Sequence, residues 1–174
     1  MRQLRLSLDL QGKIVIDFRQ LNRSELEKLK LEGIEVIVSG YSLIKDRSPD
    51  EINTFWDNHF NEMVEKAWGS EHEYFLAITD LNTKDVVGSL WYRVPNDEMF
   101  SDMVFLSWFG IYEPYRRKGY GKAAIEKLKS NLKTKGIRRL VLETFNSNEV
   151  AVAFYTSLGF TPTRIVMQSM CDEH

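Results

Sequence analysis

This chain of 174 residues has a single cysteine, Cys171, and only three histidines. One thiol cannot close an internal disulfide or assemble a cysteine-based metal site. No His, Asp and Glu grouping has metal-ligand spacing either, so no metal is expected. No apolar run approaches 18 residues, which excludes a membrane-crossing helix. The first ten residues alternate apolar and polar and lack the continuous apolar region of a signal peptide. A soluble cytoplasmic protein is the expectation. An excess of one charge is also missing: 23 basic and 25 acidic residues give −2. A chain built to coat nucleic acid carries a basic excess, so neither nucleic acid nor membrane is an expected partner. There are no repeats, low-complexity tracts or linkers. With 43% apolar residues, the length suits one domain over 1–174.

Against this even background one stretch stands out, Pro114-Tyr-Arg-Arg-Lys-Gly-Tyr-Gly121. It follows an apolar strand, Met103–Tyr112, and opens a helix predicted to run to about Lys135. Glycines at a helix start let backbone N–H groups close on a ligand without Cβ obstruction. Orphan N–H donors and the positive end of the helix dipole favour an anion there. Arg116, Arg117, Lys118 and Lys122 add cations around the same spot, so a phosphate, and above all a pyrophosphate, suits it. A Walker A loop is excluded, because Gly119-Tyr120-Gly121-Lys122 leads to Ala123 and not to Ser or Thr. A dinucleotide fingerprint fits by spacing, with Ala124 in the third glycine place and Glu143 as the later acid. It fails on context, since that fold carries its fingerprint at the first strand.

The remaining elements follow from local signals. Residues 1–10 and 13–18 read as strands around Gln11-Gly12. A helix starts near Asn22, with Glu25 at capping-box spacing, and is expected to end at Gly33. Ile34–Val38 reads as a further strand or a packed loop. Ser48, Pro49 and Glu51 start a second helix whose inward stripe is Ile52, Phe55/Trp56, His59/Phe60, Met63 and Ala67. His59 on that stripe reads as a core histidine. Glu73–Thr79 and Asp85–Val94 form an antiparallel hairpin. The strand 103–112, helix 119–135 and strand 138–145 make a βαβ unit, whose strands are parallel. Residues 148–158 form a last helix with Val150, Ala151, Phe154 and Leu158 inward, and a strand near Arg164–Met170 closes the chain. The class is α+β, with a mixed, mostly antiparallel central sheet flanked by helices.

Arg116-x-x-Gly119-x-Gly121 resembles the acyl-CoA pyrophosphate loop of the GNAT N-acetyltransferase superfamily. About 30 residues on, Leu140–Phe160 resembles the second half of that pattern: a strand ending in Glu143, Asn148 starting a helix, then Tyr155 before Leu158-Gly159-Phe160. The resemblance covers roughly residues 75–170. It implies an acyl-CoA-binding half from about 73 to 170 and a variable acceptor-side half over about 1–72. It further implies acetyl-CoA as donor, an amine as acceptor, and two parallel strands splayed into a wedge that takes the pantetheine arm. Phe109 to Ile111 would offer strand backbone to that arm, and Asn148 would lie near its amides. Backbone N–H groups of Arg117, Lys118, Gly119, Tyr120, Gly121 and Lys122 would take the pyrophosphate, with Arg116 beside them. The family often forms dimers, so the resemblance admits a homodimer.

Tyr155 is the candidate catalytic acid. A departing thiolate benefits from a proton, and a phenol with a pKa near ~10 keeps its proton until needed. Glu143 is the candidate base, at the position where some family members carry a glutamate. Others carry a base carboxylate inside the preceding strand. Met103–Phe109 has none, Phe105 standing in that place with Asp102 before it. His72 and Glu73 read as a solvated loop. The acceptor surface is expected from residues 40–70 and 95–101, where aromatics such as Trp56 and Trp68 neighbour Asp97, Glu98 and Asp102, a mix that suits a cationic amine. Two rivals stay open: a non-catalytic acyl-CoA-binding module, and a nucleotide-binding domain using the same helix terminus.

Overall fold

The computed structural model describes residues 14–41 and 48–167, and the backbone alone over 34–41. Strand β1 (Ile16–Gln20) is followed by helices α1 (Arg23–Tyr41) and α2 (Pro49–Ala67), and then by strands β2 (Glu73–Asp80), β3 (Val86–Arg93) and β4 (Met103–Ile111). Helix α3 (Tyr120–Thr134), strand β5 (Arg139–Leu142) and helix α4 (Glu149–Ser157) complete the order. The five strands lie in sequence order, β1 to β5. The first three neighbouring pairs are antiparallel and the β4–β5 pair is parallel.

Local chemistry sets the helix starts. Glu25 accepts from the Asn22 N–H at 2.9 Å, and Asn22 Oδ1 accepts from the Glu25 N–H at 3.0 Å. Ser48 and Glu51 make the same reciprocal pair at α2. The end of α1 differs from expectation. The helix runs through Gly33 to Tyr41 and so takes in Ile34–Val38, which are neither strand nor loop. Gly33 has none of the left-handed φ that stops a helix, in contrast to Gly69, Gly119, Gly136 and Gly159.

Alternation along the strands divides the core between two faces of the sheet. On one face Ile78, Val87, Leu90, Val104 and Leu106 pack with Ala124, Ile125, Leu128 and Leu132 of α3, and Phe154 and Leu158 of α4 join their edge. On the other, Phe75, Ala77 and Trp91 pack with Leu26 and Leu29 of α1 and with Phe60, Val64 and Ala67 of α2. The α2 stripe is therefore Ile52, Phe60, Val64 and Ala67. Phe55 is exposed, and His59 is not a core histidine: it lies on the surface, stacked on Phe55 at 5.5 Å. A stripe two residues wide could be read with either neighbour inward, and packing on Trp91 chose Phe60.

Three further expectations change. Val150 is exposed on the first turn of α4. Glu73 starts β2, as the hairpin Glu73–Thr79 required, and is half-buried and not solvated. Residues 164–167 carry no strand, and the rest of the expected closing strand lies outside the described residues, as does the expected strand 1–10.

Candidate functional site

The site begins where β5 stops. The parallel register pairs Met103 with Arg139 through Leu106 with Leu142, and there β5 ends. Strand β4 continues five residues to Ile111, still paired with β3 on its other edge. Ser107 is left unmatched in a bulge opposite Trp91/Tyr92. Past it the strand's groups alternate in direction. The Tyr112 N–H donates to Val87 O at 2.9 Å, so Tyr112 faces β3. Ile111 and Phe109 then turn their N–H and C=O groups away from β3, toward the opening.

At the end of β4 a short 3₁₀ turn (Glu113–Tyr115) leads into the glycine loop. Arg116 folds back, its Nε donating to Ile111 O at 2.9 Å. This guanidinium therefore stitches loop to strand. Arg117 is left-handed at φ 61, and Gly119, the residue before α3, at φ 92. Gly119 supplies no side-chain cap, and the first intrahelical bond is Ala123 N–H to Gly119 O at 3.1 Å. The N–H groups of the first turn are thus free to meet an anion. Arg117, Lys118 and Lys122 are exposed around them, Lys122 only 3.9 Å from Glu126 in a loose surface pair.

Helix α4 lies beside the opening. Asn148 caps it, its side-chain oxygen accepting from the Ala151 N–H at 3.1 Å, which leaves the amide NH₂ for a ligand. Phe154 is the residue that brings the parts together. It stacks on Phe109 of β4 at 6.1 Å, and a Cβ placed on Gly121 would stand 3.2 Å from its ring. Gly121 therefore lets α3 approach α4 closely as well as opening the loop. Tyr155 follows, half-buried between Phe154 and Phe160 with ring separations of 5.2 and 5.4 Å. Burial pushes its phenol up to about 12. Among the described residues no hydrogen-bond partner is seen for its hydroxyl.

Of the residues named from the sequence, Phe109, Ile111, Arg116, Gly121 and Tyr155 converge on this region through those contacts. Glu143 sits one residue past β5 with its carboxylate on the surface, 3.7 Å from the Arg164 guanidinium. Asp102 is tied to Arg139 at 2.5 Å, and that bond holds its carboxyl below the usual range. On the other sheet face Glu73 accepts the Trp91 indole N–H at 2.5 Å, while burial pushes its carboxyl up. Arg93, its cross-strand neighbour, covers the Phe105 ring at 5.0 Å.

Two residues at the site escaped the sequence reading. Lys129 lies on α3. Its Nζ donates to Leu158 O at 2.7 Å and lies 4.4 Å from the Phe160 ring, clamping α3 to the end of α4. Asp80, the last residue of β2, accepts the Tyr120 hydroxyl at 2.5 Å. Neither contact leaves a local signal, since the partners are 29 and 40 residues apart. Among the described residues no group of three His, Cys, Asp or Glu could hold a metal ion, and no helix is long and apolar enough to cross a membrane.

Comparison with known proteins bears on the family and the fold. The model of the acetyltransferase (GNAT) family matches residues 40–160. The uncharacterized N-acetyltransferase YycN of Bacillus subtilis is 33% identical over 119 residues, 68% of this chain and 75% of that one. Its crystal structure has a TM-score of 0.78 to this fold at 27% identity, covering 91% of this chain and 100% of that one. The ribosomal protein bS18-alanine N-acetyltransferase of Escherichia coli K12 is 43% identical over 51 residues, 29% of this chain and 34% of the enzyme. The PaiA N-acetyltransferase of Thermoplasma acidophilum, solved with coenzyme A, shares the fold with a TM-score of 0.63 at 20% identity, over 85% of this chain and 91% of that one.

Proposed function

This chain belongs to the GNAT acetyltransferase family, and from that premise we propose that it moves an acetyl group from acetyl-CoA to a primary amine. The acceptor is the amine of a small molecule or of a protein, and it attacks directly within a ternary complex. The observation that carries the proposal is the stretch of β4 from Ser107 to Ile111, paired with β3 but left without a partner on its β5 edge, with the glycine loop at its end and Tyr155 alongside. The coenzyme A bound by PaiA and the alanine acceptor named for the bS18 enzyme support donor and acceptor class.

The residues fit the donor. The uncapped N–H groups of Arg117, Lys118, Gly119, Tyr120, Gly121 and Lys122 would hold its diphosphate, with three exposed cations around them. The outward N–H and C=O of Phe109 and the N–H of Ile111 would bind the pantetheine arm as an added strand would, and the Asn148 amide would reach the same arm. When bound, acetyl-CoA supplies an activated acetyl thioester. The protein holds that thioester and the amine in attack geometry, an effect on the order of 7–11 kcal/mol. An N–H of the β4 edge near the bulge would meet the carbonyl oxygen as charge develops on it. Tyr155, kept protonated by burial, gives its proton to the leaving sulfur. Glu143, on the surface beside the opening, takes the ammonium proton through water.

Turnover and donor affinity of Tyr155→Phe test the proposal. Loss of the acid should lower kcat by roughly 10²-fold or more, with the acetyl-CoA dissociation constant nearly unchanged. Glu143→Gln should cost activity at neutral pH and regain part of it as the pH rises. Wild-type binding of acetyl-CoA with no acetylation of any amine in a broad panel would identify a non-catalytic binding module. Preference for NAD or ATP over acetyl-CoA in competition would overturn the donor assignment.

A further inference from the structure

The first residue of α3 makes a contact that donor binding does not require. The Tyr120 hydroxyl donates to Asp80 Oδ2 at 2.5 Å. Asp80 is a charged residue only 3% exposed, and its other oxygen accepts the backbone N–H of Asn82 at 2.7 Å and of Thr83 at 3.4 Å. The turn that follows it is closed by two backbone bonds of its own and tied by a third to the chain just before β1. The Asp80 N–H donates to Asp85 O at 2.9 Å, Lys84 N–H to Asp80 O at 2.8 Å, and Leu81 N–H to Val15 O, before β1, at 2.8 Å. Asp80 is a fixed post.

The glycine loop is tied to β4 by the Arg116 bond to Ile111 O, ahead of its left-handed residues. It contains the left-handed Arg117 and Gly119, and no side chain caps the helix it opens. A non-glycine residue in that conformation persists only where its surroundings impose it. Tyr115 stacks edge-on against Tyr120 at 5.8 Å, so the residues before and after the loop meet at the Asp80 post. The Asp80 carboxylate meets α3 through the hydroxyl at the far end of the Tyr120 side chain.

We propose that Asp80 is a positioning residue for the donor: through the Tyr120 hydroxyl it fixes the first turn of α3, and so the aim of the N–H groups that meet the diphosphate. This rests on the reading of Arg116–Lys122 as the diphosphate cradle. The test compares kcat/KM for acetyl-CoA and for S-acetylpantetheine, which keeps the thioester arm and lacks the diphosphate. The preference for acetyl-CoA should fall about tenfold in Asp80→Ala and in Tyr120→Phe, the loss expected from one charge-assisted hydrogen bond. Asp80→Asn, which can keep only a neutral hydrogen bond to the hydroxyl, should fall less. Should Asp80→Ala not fold, Tyr120→Phe, which removes a single oxygen, carries the test. An unchanged preference, or an equal loss on both donors, would overturn the positioning role. A wild-type protein that uses neither donor would instead sink the acetyltransferase reading, and this inference with it.

Discussion

A half-buried phenol and a buried carboxylate make opposite demands on pH, and the Asp80–Tyr120 bond joins one of each. The bond holds the Asp80 carboxyl below its ordinary 3.8, with burial opposing, and pushes the Tyr120 phenol up to about 12. Lys84 adds to the first effect, and the nearby Asp85 and Tyr115 add to the second. A lowered acid stabilises the fold above its unfolded value, and that contribution is lost as pH falls through the folded one. A raised phenol stabilises below 10.0, and the contribution is lost as pH climbs from there toward about 12. Tyr120→Phe should therefore lose stability by about 1.5–3 kcal/mol between pH 5 and 9. The gap to wild type should close on both the acid and the alkaline side. Denaturant unfolding across pH reads this directly, and a gap that stays constant to pH 11 would contradict the bond. Tyr155 is raised by burial alone, so its phenolate should be among the last to appear in an absorbance titration.

At the scale of elements, the signals that could be read from sequence were those closed within a few residues. The Asn22–Glu25 and Ser48–Glu51 caps, the β2–β3 hairpin and the Asn148 cap all formed where expected, because each depends on its own turn. The end of α1 was misread because Gly33 is a stop signal only when its backbone turns left-handed. Here it stays helical under Phe60 and Trp108, both far along the chain, whose ring atoms lie 3.7 Å from where its Cβ would stand. Those are ordinary contact distances. Gly33→Ala should fit and stabilise α1 by about 0.5–1 kcal/mol, through a better helix propensity and a less free unfolded chain. On thermal unfolding this reads as a midpoint raised by a few degrees. A lowered midpoint would mean that α1 needs the glycine for close packing. The identity of the Tyr120 partner lay beyond such reading for the same reason, since only the folded sheet brings the end of β2 to α3.

Over the whole molecule, the sheet separates two tasks. One face, under α3 and α4, carries the loop, the opening and Tyr155; the other, under α1 and α2, holds Glu73, Arg93 and Phe105 near the level where β4 and β5 part. The elements from β2 onward were legible because most of them are bounded by local turn and cap signals. The inward stripe of α2 was not, because which aromatics are core and which are surface depends on how α1 and α2 settle on the sheet. Phe60 went in, and Phe55 and His59 stayed out. The most direct test of the central claim is a backbone amide NMR titration of the wild-type chain with coenzyme A. The amides of Arg117 to Lys122 and of Phe109 and Ile111 should shift together and saturate at a single affinity. Shifts confined to α1 and α2, or saturation without movement of the glycine loop, would contradict a donor site at the parting of β4 and β5.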